Sequence, residues 1–321
     1  MTKVKSVLLK EQWVLLLVVI AAISVVTGSV NPRFFSLNNI ISILEQISTL
    51  GLIASGATIL IISGNFDVSV GAVVGLSSCI MAILINLGVP VVPAVAAGVL
   101  LSILCSLFIG GCAILFRAPS FIISLVSIGI FKGISLAMTG GVIQTIYGKF
   151  ETIGMYRIWG VIPLIFIISL VCYLLSNALL RYTKLGRRVY AIGNNERAAF
   201  LSGIKVTFNK LVFFGINGLL VGLAAMMLLS RVGAVQPSTG SGMELNAMGA
   251  VVIGGTPMSG GRGKIIGTFV GVLLMGVISN ALNMLKVNPY FQDIVYGFIV
   301  IIALATSSFS VRFSSRRVQK G

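Results

Sequence analysis

Val14-Leu-Leu-Leu-Val-Val-Ile-Ala-Ala-Ile-Ser-Val-Val-Thr-Gly-Ser-Val30 contains no charged residue and no proline. Coiled as a helix it would reach about 25 Å, close to the roughly 30 Å of hydrocarbon in a bilayer. A second such run extends from Leu211 to Ser230. In lipid every backbone N–H and C=O has to pair inside its own segment or in a closed barrel. These runs are continuous and lack the dyad alternation of barrel strands, so they read as spanning helices. The rest of the chain agrees: of its 321 residues 57% are hydrophobic and 9% charged, and the mean hydropathy is +1.09. The expected fold is an all-α integral membrane protein forming one transmembrane domain over residues 1–321.

The formal charge of +16 would suit a nucleic-acid partner only if a basic face lay on a water-soluble module. Here the cations sit between apolar runs. Lys3, Lys5 and Lys10 precede the first run; Arg181, Lys184, Arg187, Arg188, Arg197, Lys205 and Lys210 fill the longest polar stretch; Arg312, Arg316, Arg317 and Lys320 close the chain. Positive charge marks cytoplasmic segments, so no nucleic acid is expected and lipid is the solvent. Cys79, Cys105, Cys112 and Cys172 lie in apolar runs, with no Cys-x-x-Cys pair and no histidine, so they read as small packing residues and no metal site is expected. The basic start followed by an apolar run resembles a signal peptide, but the run is long enough to span and no Ala-x-Ala site follows, so it reads as a retained anchor.

Placing helices on the runs gives spans near 13–30, 47–64, 68–87, 91–116, 118–140, 161–180, 211–230, 245–258, 265–285 and 291–308, about ten in all. Even numbers of crossings then separate the three basic stretches, which puts the N-terminus, the 181–210 loop and the C-terminus all in the cytoplasm. Segment 245–258 is short and glycine-rich, and fits either a full span or a broken, re-entrant one. Leu37, Ile40, Ile41, Leu44 and Ile47 fall at helical spacing after Pro32 and a Ser36 or Asn38 cap. They form either an amphipathic helix on the outer surface or an extension of the second span. A faint echo links Gly71-Ala-Val-Val-Gly75 with Gly263-Lys-Ile-Ile-Gly267, each opening a span; the span count gives both the same orientation, so no inverted repeat follows.

Polar residues inside apolar sequence are the candidates for function. In the cytoplasmic stretch, Asn194 or Asn195 can cap a helix, Glu196 complements its positive end, Ala198 and Ala199 continue it, and Gly203 supplies a left-handed stop. The Ala198-Ala199 side offers a small, smooth surface for another protein, or else the helix is a plain surface element. Asp67 is a carboxylate beside a span, next to Asn65, Ser69 and Gly71. An unpaired charge there would cost several kcal/mol, so Asp67 either holds a helix break by accepting N–H bonds or lines a pathway. Glu244, near Gln236 and Ser241, poses the same question on the outer side. Asn280 and Asn283, with Asn217 and Gln144, offer hydrogen bonds either to neighbouring helices or to a polar solute. Gly254, Gly255, Gly260, Gly261 and Gly263 precede Lys264, yet a phosphate loop would need glycine where Met258 stands and Ser or Thr where Ile265 stands. Close backbone approach between helices is the better account of those glycines.

Four stretches together resemble the permeases of ribose-type ABC importers. They are Thr183-Lys-Leu-Gly-Arg-Arg-Val-Tyr-Ala-Ile-Gly-Asn-Asn-Glu-Arg-Ala-Ala-Phe-Leu-Ser-Gly-Ile204, Gly64-Asn-Phe-Asp-Val-Ser-Val-Gly71, Gln236-Pro-Ser-Thr-Gly-Ser-Gly-Met-Glu-Leu245 and Val252-Ile-Gly-Gly-Thr-Pro-Met-Ser-Gly-Gly-Arg-Gly263. The similarity runs in register from about residue 13 to 308; Asn65-Phe66 departs from the Gly-Ile of relatives, with Asp67, Ser69 and Gly71 retained. The resemblance implies a permease of a bacterial inner membrane, carrying ribose or a related monosaccharide. It implies pairing with a second copy or a paralogue, an ATP-binding cassette ATPase below, and a periplasmic or lipid-anchored sugar-binding protein above. The Asn194–Gly203 helix would then be the coupling helix. No cofactor is expected on this chain, since ATP and Mg would belong to the partner. An ion-coupled secondary transporter is the alternative, but with seven acidic residues and no histidine the chain is poor in coupling groups. No enzyme motif and no repeated pore signature is present.

Overall fold

The computed structural model describes residues 12–301 apart from positions 289, 293 and 300. The terminal clusters Lys3, Lys5, Lys10 and Arg312, Arg316, Arg317, Lys320, and the latter part of the expected span 291–308, lie outside the described residues. Among the described residues seven helices are long and apolar enough to cross a membrane. They are α1 (Gln12–Val30), α2 (Leu37–Ile62), α4 (Val91–Leu115), α5 (Ser120–Thr139), α7 (Leu164–Tyr182), α10 (Val206–Val232) and α12 (Ile265–Met284). Two shorter apolar helices, α3 (Val70–Asn86) and α11 (Met243–Ile253), lie among them. Residues 290–292, 294–299 and 301 are also helical. A short helix α6 (Thr152–Met155) and four two-residue strands, β1 (Gln144–Thr145), β2 (Arg157–Ile158), β3 (Ile162–Pro163) and β4 (Ala234–Val235), complete one end. There β1 pairs antiparallel with β4, and β2 with β3. Helices α8 (Lys184–Asn194) and α9 (Glu196–Leu201) complete the other end.

The helices sort by the size and polarity of their side chains. Lipid is as apolar as leucine, so interior contacts come from close approach and hydrogen bonds. α2 carries Gly51, Ser55, Gly56 and Thr58 and is buried along most of its length; α1, with an apolar surface on nearly every side, is exposed at Leu15, Val18, Val25 and Val26. α4 and α10 pack closely along their length. A side chain at Gly218 would stand 2.7 Å from the Ile103 Cα, and across this contact Ser102 Oγ donates to the Gly218 carbonyl at 2.7 Å. Cys79 and Cys105 are buried, Cys112 and Cys172 half-buried, all with free thiols.

One open alternative is decided, in favour of an extended second span, and one expectation changes. Residues 36–47 are no separate surface helix, because α2 runs unbroken from Leu37 to Ile62 with Ser36 accepting from the Asn39 N–H. No proline interrupts it, and at 26 residues it extends about 39 Å. The 181–210 stretch, expected as a polar loop holding one short helix, holds two. Leu185, Val189 and Ile192 recur at helical spacing and turn inward, with Val189 and Ile192 fully packed, while Thr183 caps the Gly186 N–H.

Two segments inside the bundle are only partly helical. After α2 ends, residues Gly64–Ser69 climb back into the bundle without helix until α3 begins at Val70. Mirroring this, residues 236–242 descend from the β4 end through a series of turns before α11 begins. α11 has 11 residues and covers about 16 Å, about half the thickness of a bilayer's hydrocarbon. The first turn of α3 meets this descending chain: Gly71 lies against Gly240 and Glu244, and Gly75 against Pro237 and Thr239.

Candidate functional site

Extended backbone inside a bundle has N–H groups that water cannot serve. In the Gly64–Ser69 break, neighbouring helices serve them. Ser120 Oγ accepts from the Phe66 N–H at 2.8 Å and Ser124 Oγ from the Val68 N–H at 3.0 Å, both from the first turns of α5. Asp67 is buried and completes the set. Its Oδ1 accepts from the Ser69 N–H at 2.9 Å and the Ser69 hydroxyl at 2.7 Å. Its Oδ2 accepts from Asn217 Nδ2 of α10 at 3.0 Å and Ser106 Oγ of α4 at 3.3 Å. Asn217 also donates to Ser106 at 3.0 Å. One carboxyl group thus ties the break to two long helices. Asn65 is buried and turns away, donating to the Ser63 carbonyl at 3.2 Å and hydroxyl at 2.9 Å.

Glu244 lies in the first turn of α11, beside Gly71 in the first turn of α3. Its Oε1 accepts from the Gly242 N–H at 3.1 Å, while Oε2 is buried without a partner among the described residues. Two helix N-termini, each favouring negative charge, therefore converge on this acid. Gln236 is exposed, with its N–H given to Thr239 Oγ1 at 2.9 Å. Asn280 does not face a passage: it exchanges amide hydrogen bonds of 2.9 and 2.8 Å with Asn39 of α2. Asn283 is exposed and accepts from Gln292 Nε2 at 2.9 Å, and Gln144 sits in the β1–β4 ladder. The Asn280→Leu change is expected to lower stability by about 1–3 kcal/mol by stranding the Asn39 amide. Adding Asn39→Leu should then lower the unfolding midpoint by less than it does alone; full additivity would mean the amides do not hold each other.

The α8–α9 end is a junction of backbone segments. Gly193 packs against the Ile62 carbonyl, the Gly261 N–H donates to that carbonyl at 2.8 Å, and Asn194 Nδ2 donates to the Gly261 carbonyl at 3.2 Å. Tyr190 OH donates to the Gly263 carbonyl at 2.8 Å, and burial pushes this phenol up from its ordinary pKa. Gly254 lies against Gly267 of α12 and Gly260 against Gly64. Gly255, Gly260, Gly261 and Gly263 all have positive φ, so these four shape a turn as well as allowing close approach.

Asn194 ends α8, and Asn195 alone caps α9, accepting from the Ala198 N–H at 2.9 Å. Glu196 in its first turn pairs with Lys210 at 2.8 Å, and Gly203 stands at φ +82°. The alanine pair does not form one surface, because Ala198 is exposed but Ala199 is 4% exposed and turns into the fold. The outward side is instead Phe200, 67% exposed, and Leu201, 77% exposed. Sequence reasoning missed these two, and also Ser106, Ser120 and Ser124. The signal for the serines was their spacing: Ser120, Ser124 and Ser127 recur on one face of α5 and are all buried.

Residues 39–304 match the family described as branched-chain amino acid transport system / permease component. The ribose import permease protein RbsC of Bacillus subtilis (strain 168) is 39% identical over 284 residues, 87% of this chain and 88% of that protein. The ribose import permease protein RbsC of Escherichia coli (strain K12) is 34% identical over 305 residues, 94% of each chain. The D-allose transport system permease protein AlsC of the same strain is 37% identical over 292 residues, 89% of each. No solved structure matches the chain.

Proposed function

We infer the working of this chain from the fact that it belongs to the family of branched-chain amino acid transport system / permease components: it is the membrane-spanning permease subunit of an ATP-driven sugar importer. The family's description names amino acids, whereas relatives covering nearly all of the chain are named for ribose and allose. The relatives share more of the sequence, and the sugar reading rests on them.

The finer reading is our proposal. Ribose or a close monosaccharide is the cargo, delivered by a periplasmic or lipid-anchored binding protein and moved through a pair of permeases, two copies or a copy and a paralogue. The chain crosses a bacterial inner membrane about ten times, with both termini and the α8–α9 end in the cytoplasm. ATP and Mg bind a separate cassette ATPase; the sequence itself carries no phosphate loop. The observation that carries the coupling role is α9, a capped helix presenting Phe200 and Leu201 outward. Closure of the ATPase dimer would move α9, and α10 behind it, switching access. The Asp67 network keeps the half-extended crossing together, and Glu244 borders the passage. In vesicles holding this chain with its ATPase and binding protein, labelled ribose is expected to accumulate with internal ATP and without an ion gradient. Uphill uptake by the chain alone on an ion gradient would overturn the reading.

A further inference from the structure

Between the Gly64–Phe66 break, the α4–α5 turn and the base of α10 lies a cavity of about 610 Å³, large enough for a small-molecule group. Its wall carries Arg117, Ser120, Glu196, Thr207 and Lys210. Arg117 follows α4 at φ +51°, the left-handed position after a helix that glycine ordinarily takes. A non-glycine residue held there is strained, and strain of this kind clusters at binding sites. Arg117 has no carboxylate partner among the described residues. Pro119 gives the first N–H groups of α5 no side-chain cap, which leaves the positive end of that helix open beside it. Across the cavity Lys210 is held by both oxygens of Glu196 at 2.8 Å. With two cations against one carboxylate, the wall is net positive. The same end of the molecule exposes Arg181, Lys184, Arg187 and Arg197, which raises the local concentration of anions.

We propose that this cavity binds a phosphate-class anion, the headgroup of an anionic phospholipid or a free phosphate, between Arg117 and Lys210. The anion competes with Glu196 for Lys210. That ion pair joins α9 to α10, so occupation frees α9 from the base of α10. The consequence for transport rests on the coupling role proposed for α9; the binding step does not, and is measured separately.

The test uses the purified full chain in neutral detergent at about 0.1 M salt, where charges more than about 10 Å apart are screened. The probes are dioctanoyl phosphatidylglycerol and inorganic phosphate, titrated by calorimetry. Arg117→Gln is expected to weaken binding about tenfold, the loss of one charge-assisted contact. Glu196→Gln is expected to strengthen it several-fold by removing the competitor, a gain that damage to the fold would not produce. Lys184→Gln, at the same end but outside the cavity, should leave it within about twofold. Binding of the lipid alone assigns the site to a headgroup; binding of phosphate alone assigns it to a soluble anion. If neither probe binds, if Glu196→Gln weakens binding, or if Lys184→Gln acts as strongly as Arg117→Gln, the proposal is wrong. A site confirmed in this way with transport unaltered by lipid would count against the coupling role of α9, not against the site.

Discussion

The Asp67→Ala variant is expected to lose about 3–5 kcal/mol of stability and with it nearly all sugar uptake. Four donors aim at this carboxyl: the Ser69 N–H, the Ser69 hydroxyl, Ser106 and Asn217. All of them are buried, and an unmade hydrogen bond in the interior costs about 1–3 kcal/mol. Water cannot replace the lost acceptor without opening the bundle. Total stability is typically about 5–15 kcal/mol, so this one deletion removes a large share. Asp67→Asn should be nearly as harmful despite its shape, because its amide puts a donor against donors. Exchanging the two partners, Asp67→Asn with Asn217→Asp, keeps one acid and one amide in contact and is expected to recover part of the loss. The readouts are the thermal unfolding midpoint of the purified chain and ribose uptake in cells. Parent-like values for both in Asp67→Ala would remove the network from any account of this protein.

The Phe200→Asp, Leu201→Asp pair is expected to behave in the opposite way, leaving the fold intact and stopping transport. Both side chains are largely exposed, so the unfolding midpoint should move little. A buried aromatic anchor at an interface is commonly worth 2 kcal/mol or more, roughly thirtyfold in affinity. Replacing the one aromatic, Phe200, and its aliphatic neighbour Leu201 by charge should reduce both ATPase co-purification and uptake by at least that factor. Ala199→Glu would not test this: Ala199 faces the fold, and a carboxylate there would unfold α9 whatever the helix does. Full uptake in the Phe200, Leu201 pair variant would mean that the ATPase docks elsewhere.

How much of this was legible beforehand depended on the range of the interaction. The long apolar runs, the Asn195 cap and the Gly203 stop are local, set by a few neighbouring residues, and read directly from the chain. The helix Lys184–Asn194 was also written in the sequence, at Leu185, Val189 and Ile192, but five basic and polar neighbours and two glycines hid a periodicity that only three residues carry. The expectation that Ala198 and Ala199 share a surface failed because consecutive residues on a helix point about 100° apart. The distant partners of the Asp67 break could not be read. Ser106 and Asn217, which donate to Asp67, and Ser120 and Ser124, which accept from the Phe66 and Val68 N–H groups, lie tens of positions away, and their meeting depends on how glycine-faced helices cross. Asn280 was open between two roles for the same reason; its partner Asn39 is 241 positions distant.

α10 runs unbroken through 27 residues from Val206, just past the α9 turn, to Val232, just before the β1–β4 ladder. Such a rod is about 40 Å long, so a tilt of roughly 5° at its base carries its far tip about 3.5 Å. The protein thereby possesses a stiff lever through the bilayer. A nudge at one water face becomes a displacement as wide as a sugar hydroxyl at the opposite face, with no helix having to melt in between.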